Sequence, residues 1–166
     1  MNKIAPLLPL LSLIVIAIPN YRVQILNAGT ITEGPGNVYM NPSEVIINAG
    51  TLHPGGRWDY YHGVSPNPVA QLTLNEARSI TLSLENFQHW KSFDCWIEID
   101  GHHYFPMDTI PVETQNIPAG THDLWFDCTA FVKDDITEPV SGEVILRVLD
   151  GNTTVGMVKV EYSIIL

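Results

Sequence analysis

The sequence predicts an all-β protein: an antiparallel β-sandwich of jelly-roll or immunoglobulin-like type, with about nine strands. Apolar and polar residues alternate with period two along most of the chain after residue 20, as in sheets with one buried face. Turn-forming clusters of Gly, Pro, Asn and Asp separate these stretches, and no helical pattern exceeds a turn or two. With 166 residues, 45% hydrophobic and 16% charged, the chain fits one folded domain.

Residues 1–17 are expected to be a secretory signal peptide or, if retained, an apolar N-terminal arm. Lys3 supplies a positive charge, and residues 4–18 form an apolar run. The run is too short for a membrane span and is interrupted by Pro6 and Pro9. Cleavage is expected after Ala17, so the protein is expected outside the cell or at its surface, without a stable membrane span.

The remaining chain is divided into an N-terminal arm, residues 18–36, and a β-sandwich domain, residues 37–166. The predicted strands are residues 22–26, 38–40, 45–48, 69–74, 79–85, 93–99, 121–128, 143–149 and 155–165. The clearest alternation places Ile80, Leu82 and Leu84 on one face. Asp100-Gly101 predicts a two-residue hairpin turn, because both residues tolerate a positive φ.

The two cysteines are predicted to form a disulfide. Cys95 and Cys128 each share a strand face with apolar residues, so both thiols should point into the core. An inward pair in an exported sandwich favours a bridge, and closing about 33 residues would stabilise the fold by roughly 3 to 4 kcal/mol. Two free buried thiols are the alternative. Asn152 begins an N-glycosylation sequon in a predicted turn.

The same alternation predicts an acidic, aromatic outer face on these two strands. It carries Trp96 and Trp125 among carboxylates, provided that the disulfide brings the two strands together. Large aromatic side chains are usually buried, so this face predicts a subunit interface, a sugar platform or a cation site. The alternative is that loops cover the tryptophans.

Hard cations such as calcium need several converging oxygen ligands. Two sets of acids are candidates, one on the strands and one in the loop "KDDITEP". They comprise Asp94, Glu98, Asp123 and Asp127 on the strands, and Asp134, Asp135 and Glu138 in the loop. A solvated acidic loop is the alternative explanation for the second set.

No catalytic signature is present, and the chain is not expected to be an enzyme or to need a cofactor other than calcium. It lacks a nucleophile elbow, a zinc-protease motif and a glycine-rich phosphate loop. The formal charge of −10 without a basic run argues against nucleic acid as a partner. The aromatic segment from Arg57 to His62 is expected to be a loop that caps the sandwich, with stacking on sugars as its alternative.

Both ends of the mature chain are strand-like, and a terminal strand on a flexible tether can add to a neighbouring subunit's sheet. The predicted donor strand comprises Arg22, Val23, Gln24, Ile25 and Leu26, extending toward Ile31. The chain also carries the stretches "GNVYMNPSEVIINAGTLHPGG", "IDGHHYF" and "IPAGTHDLWF" in an acidic, lysine-poor composition. In these features it resembles the cannula subunits of hyperthermophilic archaea and, more distantly, donor-strand fibre proteins of biofilm matrices.

The resemblance implies a jelly-roll-like sandwich, donor-strand complementation by the N-terminal segment and polymerisation assisted by divalent cations. The leading hypothesis is therefore a structural subunit that self-assembles into an extracellular filament or tube, with other copies of itself as partners. The alternative is a secreted carbohydrate-binding sandwich that binds extracellular glycans through Trp58, Tyr60, Tyr61, Trp96 or Trp125. A secreted hydrolase ranks third.

Overall fold

A computed structural model describes residues 37–61, 67–107 and 110–166. The regular elements of these ranges are all strands, and none of them contains a helix long and apolar enough to cross a membrane. The strands in chain order are β1 (Val38–Asn41), β2 (Glu44–Leu52), β3 (Arg57–Tyr60), β4 (Ala70–Leu74), β5 (Thr81–Glu85), β6 (Trp90–Ile99), β7 (His102–Tyr104), β8 (Val112–Glu113), β9 (Gly120–Val132), β10 (Val140–Asp150) and β11 (Thr153–Ile164).

The strands form two sheets that pack face to face. Sheet I has the order β1-β4-β9-β6-β7, and sheet II has the order β2-β11-β10-β5-β8. The long strand β9 is central to sheet I. On one side it pairs with β4 along its first half and with β3 along its second half, and on its other side it pairs with β6. This arrangement makes β6 and β9 direct neighbours.

The chain passes from sheet I to sheet II between β1 and β2, and β2 then pairs with β11 in parallel. All the other strand pairs are antiparallel. Four strands in the order β1-β4-β9-β6, opposed to β2-β11-β10-β5, give the order of an immunoglobulin-like sandwich. The predicted β-sandwich is confirmed, with one parallel pair among the strands of the described ranges.

Alternation along the strands builds a single core between the sheets. On β5, Leu82 and Leu84 are buried, and the polar residues that alternate with them, Thr81, Ser83 and Glu85, are half-buried. The same pattern on β4 and β9 buries Leu72 and Phe126 completely. Full burial of each such side chain stabilises the fold by about 1.5–3 kcal/mol. The stability of the sandwich therefore comes mainly from its inward residues.

The eight strands predicted from residue 38 onward are all present, most of them extended at their ends. The ninth prediction, residues 22–26, lies outside the described residues. Three short strands, β3, β7 and β8, were not predicted. The Asp100-Gly101 hairpin is confirmed: the two residues have φ of 53° and 76°, and they connect β6 to β7.

The expected capping loop at Arg57 is wrong, because residues 57–60 form β3 at the side of β9. Trp58 and Tyr60 point into the core, where Trp58 packs near Trp90 and Phe93. Four residues give only two alternations, which is too short a pattern to separate a strand from an aromatic loop. His62, the last residue of the segment, lies outside the described residues.

Candidate functional site

The outer face of sheet I holds the candidate site. The predicted neighbourhood of the two cysteine strands is confirmed, because Cys95 lies directly opposite Cys128 in the β6–β9 register. The next outward pairs are Trp96 with Asp127 and Glu98 with Trp125. The residues that alternation assigned to the outer face are therefore neighbours on sheet I, where both tryptophans are half-buried.

A transverse row of side chains crosses this face, one from each strand or strand end. Tyr61 directly follows β3, Asp127 lies on β9, Trp96 on β6, and Phe105 directly follows β7. The registers Tyr60 with Cys128 and Ile97 with Tyr104 place these four residues in line. We call this set the aromatic row.

The rings of the aromatic row are close to one another. Tyr61 and Trp96 have centroids 6.2 Å apart and planes tilted by 49°, and Trp96 and Phe105 have centroids 6.4 Å apart and planes tilted by 40°. Tyr61 is 37% exposed and Phe105 is 53% exposed. Asp127, between Tyr61 and Trp96 in the row, is only 1% exposed although it lies on the outer face. The row therefore presents two exposed rings, Tyr61 and Phe105, with the half-buried ring of Trp96 between them.

A hydrogen-bonded group fixes one end of the row. Tyr61 Oη lies 2.7 Å from Thr129 Oγ1 and donates to Asp59 Oδ1 at 3.1 Å. Thr129 Oγ1 also donates to Asp59 Oδ1, at 2.9 Å, and Arg57 donates to the same oxygen from Nε and Nη2. The hydrogen bonds from Arg57, with smaller ones from Thr129 and Tyr61, lower the pKa of Asp59, which keeps it an anionic acceptor.

Acidic groups border the row along β6. Asp94 is exposed and has no hydrogen bond or ion pair among the described residues, while Glu98 lies 3.6 Å from His103 Nε2. Alternation places both carboxylates on the same face as Trp96, one on each side of it. The central ring thus has a hydrogen-bond acceptor on either flank.

The predicted metal-ligating acids are not brought together. Within the described ranges, no group of three or more His, Cys, Asp or Glu side chains could hold a metal ion. Asp123 accepts a hydrogen bond from Gln71 at 3.2 Å, and Asp134 lies 3.4 Å from Lys91 Nζ. The other loop candidates, Asp135 and Glu138, are exposed. A calcium site built within one subunit therefore has no support in the described geometry.

The two cysteines face each other in the core as free thiols. The inward orientation predicted for them is confirmed, whereas the disulfide is not formed in the structure. Burial raises the pKa of Cys95 to about 12, and burial together with the neighbouring Cys95 raises the pKa of Cys128. Both thiols are therefore protonated and unreactive at neutral pH in the folded chain.

Several predicted ligand-binding residues take other roles. Trp58 and Tyr60 are in the core and cannot stack on a sugar, whereas Tyr61 and Trp96 belong to the aromatic row. Trp125 is half-buried opposite Glu98. Phe105 was missed; extending the predicted hairpin register by three residues past His102 would have placed it beside Trp96. Asn152 is exposed in the turn between β10 and β11.

No protein-family model matches the chain, and no curated protein matches it significantly. Among solved structures, it is similar to the CupB6 tip adhesin of Pseudomonas aeruginosa, with 9% identity and a TM-score of 0.41 over 74% of this chain and 41% of that one. It is also similar to CfaE, the adhesive subunit of the CFA/I fimbria of enterotoxigenic Escherichia coli, with 9% identity and a TM-score of 0.42 over 78% and 48%.

A third similar structure is a PapD-like domain of human CEP192, with 10% identity and a TM-score of 0.36 over 85% of this chain and 94% of that one. The chain spans less than half the length of the two adhesins. All three likenesses concern the β-sandwich alone, and the assignment of the fold rests on the strand pairing described above.

Proposed function

We propose that the chain is a secreted structural subunit that self-assembles into an extracellular filament or tube. In this proposal the segment 22–26 of one subunit adds as a strand to a sheet of the next. The observation that carries the proposal is the long uncovered edge of β6. On that side β7 pairs only with residues 97–99, so residues 90–96 have no strand partner among the described residues.

The uncovered part of β6 suits a short added strand. Its register against β9 is irregular between Trp90 and Ser92 and regular from residue 92 onward. Residues 92–95 therefore offer four regular positions, and the next residue, Trp96, is faced by Phe105 in the β7 register. Unpaired backbone N–H and C=O groups on such an edge are a template for another strand.

The edge strand of sheet II, β2, is less suitable for adding a donor strand. On β2 the register shifts at Ala49, and Gly50 has a φ of 75°. Asn48 Oδ1 accepts a hydrogen bond from the Gly50 N–H at 2.7 Å, which stabilises this irregular conformation. A bulge of this kind interrupts the regular ladder that an incoming strand needs.

The C-terminal strand is not available as a donor. β11 lies between β2 and β10; it pairs with β10 along nearly its whole length and with β2 from residue 157 to residue 164. Donating it would open the middle of sheet II and expose buried residues such as Val158 and Val160. The N-terminal segment, which lies outside the described residues, is therefore the donor in this proposal.

In this proposal calcium ions bind between neighbouring subunits, with ligands from both. No three acids converge within the described part of one chain, and the formal charge of −10 makes association of two copies unfavourable at low ionic strength. Cations held between two acidic surfaces would remove that repulsion. The exposed acids Asp134, Asp135 and Glu138 are candidates for such contacts.

Electron microscopy and sedimentation of the purified protein, with and without millimolar calcium, test the proposal. The double substitution Val23→Asp and Ile25→Asp, on the face of the donor that would enter the neighbour, is expected to abolish filaments. Gln24→Asp, on the opposite face of the same segment, is the matched control and should assemble. Wild-type protein that stays monomeric at high concentration under both conditions would contradict the proposal.

Cross-linking identifies the acceptor edge. Gln24→Cys combined with Asp94→Cys should give intersubunit disulfide ladders on oxidation, because Asp94 lies on the uncovered part of β6. Gln24→Cys combined with Asn48→Cys should give none. Ladders from the second pair alone would move the acceptor to β2.

A further inference from the structure

We infer that the aromatic row is a binding platform for an uncharged glycan chain. This inference goes beyond the assembly function and does not depend on it. Single exposed aromatic residues are common on protein surfaces. Here three rings from three different strands or strand ends occupy one register line, and such a clustered exposed apolar patch marks a binding surface.

The chemistry of the row matches a pyranose ring, which has an apolar C–H face and a rim of hydroxyl groups. The faces of Tyr61, Trp96 and Phe105 offer apolar stacking area, and Asp94 and Glu98 offer acceptors for hydroxyl groups on either side of the central ring. Sites for small polar ligands combine such aromatic surfaces with a few placed polar groups.

The platform is fixed before any ligand arrives. The hydroxyl of Tyr61 lies 2.7 Å from Thr129 Oγ1 and donates to Asp59, and Arg57 donates to the same carboxylate. Trp96 lies within a regular part of β6, paired with Asp127. A platform fixed by its supporting groups loses little conformational entropy on binding, which favours even a small contact area.

Charge and ring geometry define the class of glycan. Carboxylates border the row on both sides, and the chain has a formal charge of −10, so uronate or sulfated glycans would be repelled. The planes of neighbouring rings are tilted by 49° and 40°, so the row does not form one flat surface. A soluble, twisting chain of neutral hexose or N-acetylhexosamine units fits this row better than the flat face of a crystalline polymer.

Tryptophan fluorescence and calorimetric titration of the full chain with cellohexaose, mannohexaose, chitohexaose and a polygalacturonate oligosaccharide test the inference. At least one of the three neutral probes should shift the tryptophan emission and bind, while polygalacturonate should not. Phe105→Ala and Tyr61→Ala are each expected to weaken that binding about tenfold or more, the loss typical of an aromatic anchor.

Tyr39→Ala is the matched control. Tyr39 is also a tyrosine 37% exposed, but it lies on β1 at the edge of sheet I, away from the row. Its variant should bind the neutral probe as the wild type does. Melting temperatures of all variants establish that the fold is retained.

Failure of all three neutral probes, or equal binding by the Phe105→Ala and wild-type chains, would overturn the inference. The inference would also be overturned if Phe105→Ala lost its filaments and no glycan response was seen. The row would then be a contact between subunits. Filaments that still form in Phe105→Ala while glycan binding is lost would support the inference and leave the assembly proposal intact.

Discussion

Alkaline pH should destabilise the protein through its two buried thiols. Cys95 has an ordinary pKa of 9.0 that burial raises to about 12 in the folded chain. A raised folded pKa means that the folded state favours the protonated thiol. Stability is therefore complete below about pH 9, where the unfolded thiol is still protonated, and is lost as the pH rises toward about 12.

The expected loss follows from the gap between these two values. At about pH 11 the unfolded thiol is ionised and the folded one is largely protonated, which lowers the free energy of unfolding by about 3 kcal/mol for Cys95. Cys128 changes in the same direction, since its pKa is raised as well. Urea unfolding followed by tryptophan fluorescence, from about pH 8 to about pH 11, measures the loss.

The control is the double variant Cys95→Ala, Cys128→Ala. Its absolute stability will be lower because two buried side chains are truncated, but its stability should fall less steeply with alkaline pH. Lysine and tyrosine ionisation affects both proteins equally, so the difference between the slopes belongs to the thiols. Equal slopes would refute the reasoning. A disulfide would also remove the wild-type slope, and reductant would then lower stability by about 3 to 4 kcal/mol.

Three further predictions follow from single contacts. Gly156→Ala should lower the free energy of unfolding by about 1–3 kcal/mol in urea unfolding, because the added Cβ would lie 2.6 Å from Met40 Cβ. Phe126→Ala should cost about 3–5 kcal/mol in the same assay, since this ring is 1% exposed. Asp59→Asn should make the melting temperature depend less on pH in the acid range. The hydrogen bond from Arg57 lowers the pKa of Asp59 in the folded chain. The ionised Asp59 therefore stabilises the fold above its ordinary pKa, and this stabilisation is lost as the pH falls through the lower folded pKa.

Period-two alternation was enough to predict the sandwich and its inner faces. The strands at Cys95 and Cys128 are long, and most of their apolar residues lie on one face, so their faces could be assigned from the sequence. Their pairing was predicted only through the expected disulfide; the strands are neighbours although the two cysteines are free. The parallel pairing of β2 with β11 could not be predicted, since alternation carries no information on strand order or direction.

The aromatic row was only partly predictable, because alternation assigns residues to a face but does not give the register between strands. Trp96 and its flanking acids follow from the alternation of one strand. Tyr61 and Phe105 lie just beyond short strands, and their place beside Trp96 depends on the registers of β3 and β7. Trp58 and Tyr61 belong to the same aromatic segment, yet one is buried and the other exposed. Composition alone could not separate them.

The two proposed activities use different directions of the same strand. Strand addition at β6 would use backbone groups in the plane of sheet I, whereas a glycan would lie on side chains that stand perpendicular to that plane. A donor strand added at residues 92–95, which stops short of Phe105, would therefore leave the side chains of Trp96 and Phe105 accessible. A filament built in this way would present one aromatic row per subunit along its length. Because linked sites raise avidity without new contacts, weak binding of a single subunit to a glycan chain could still give firm attachment of the filament.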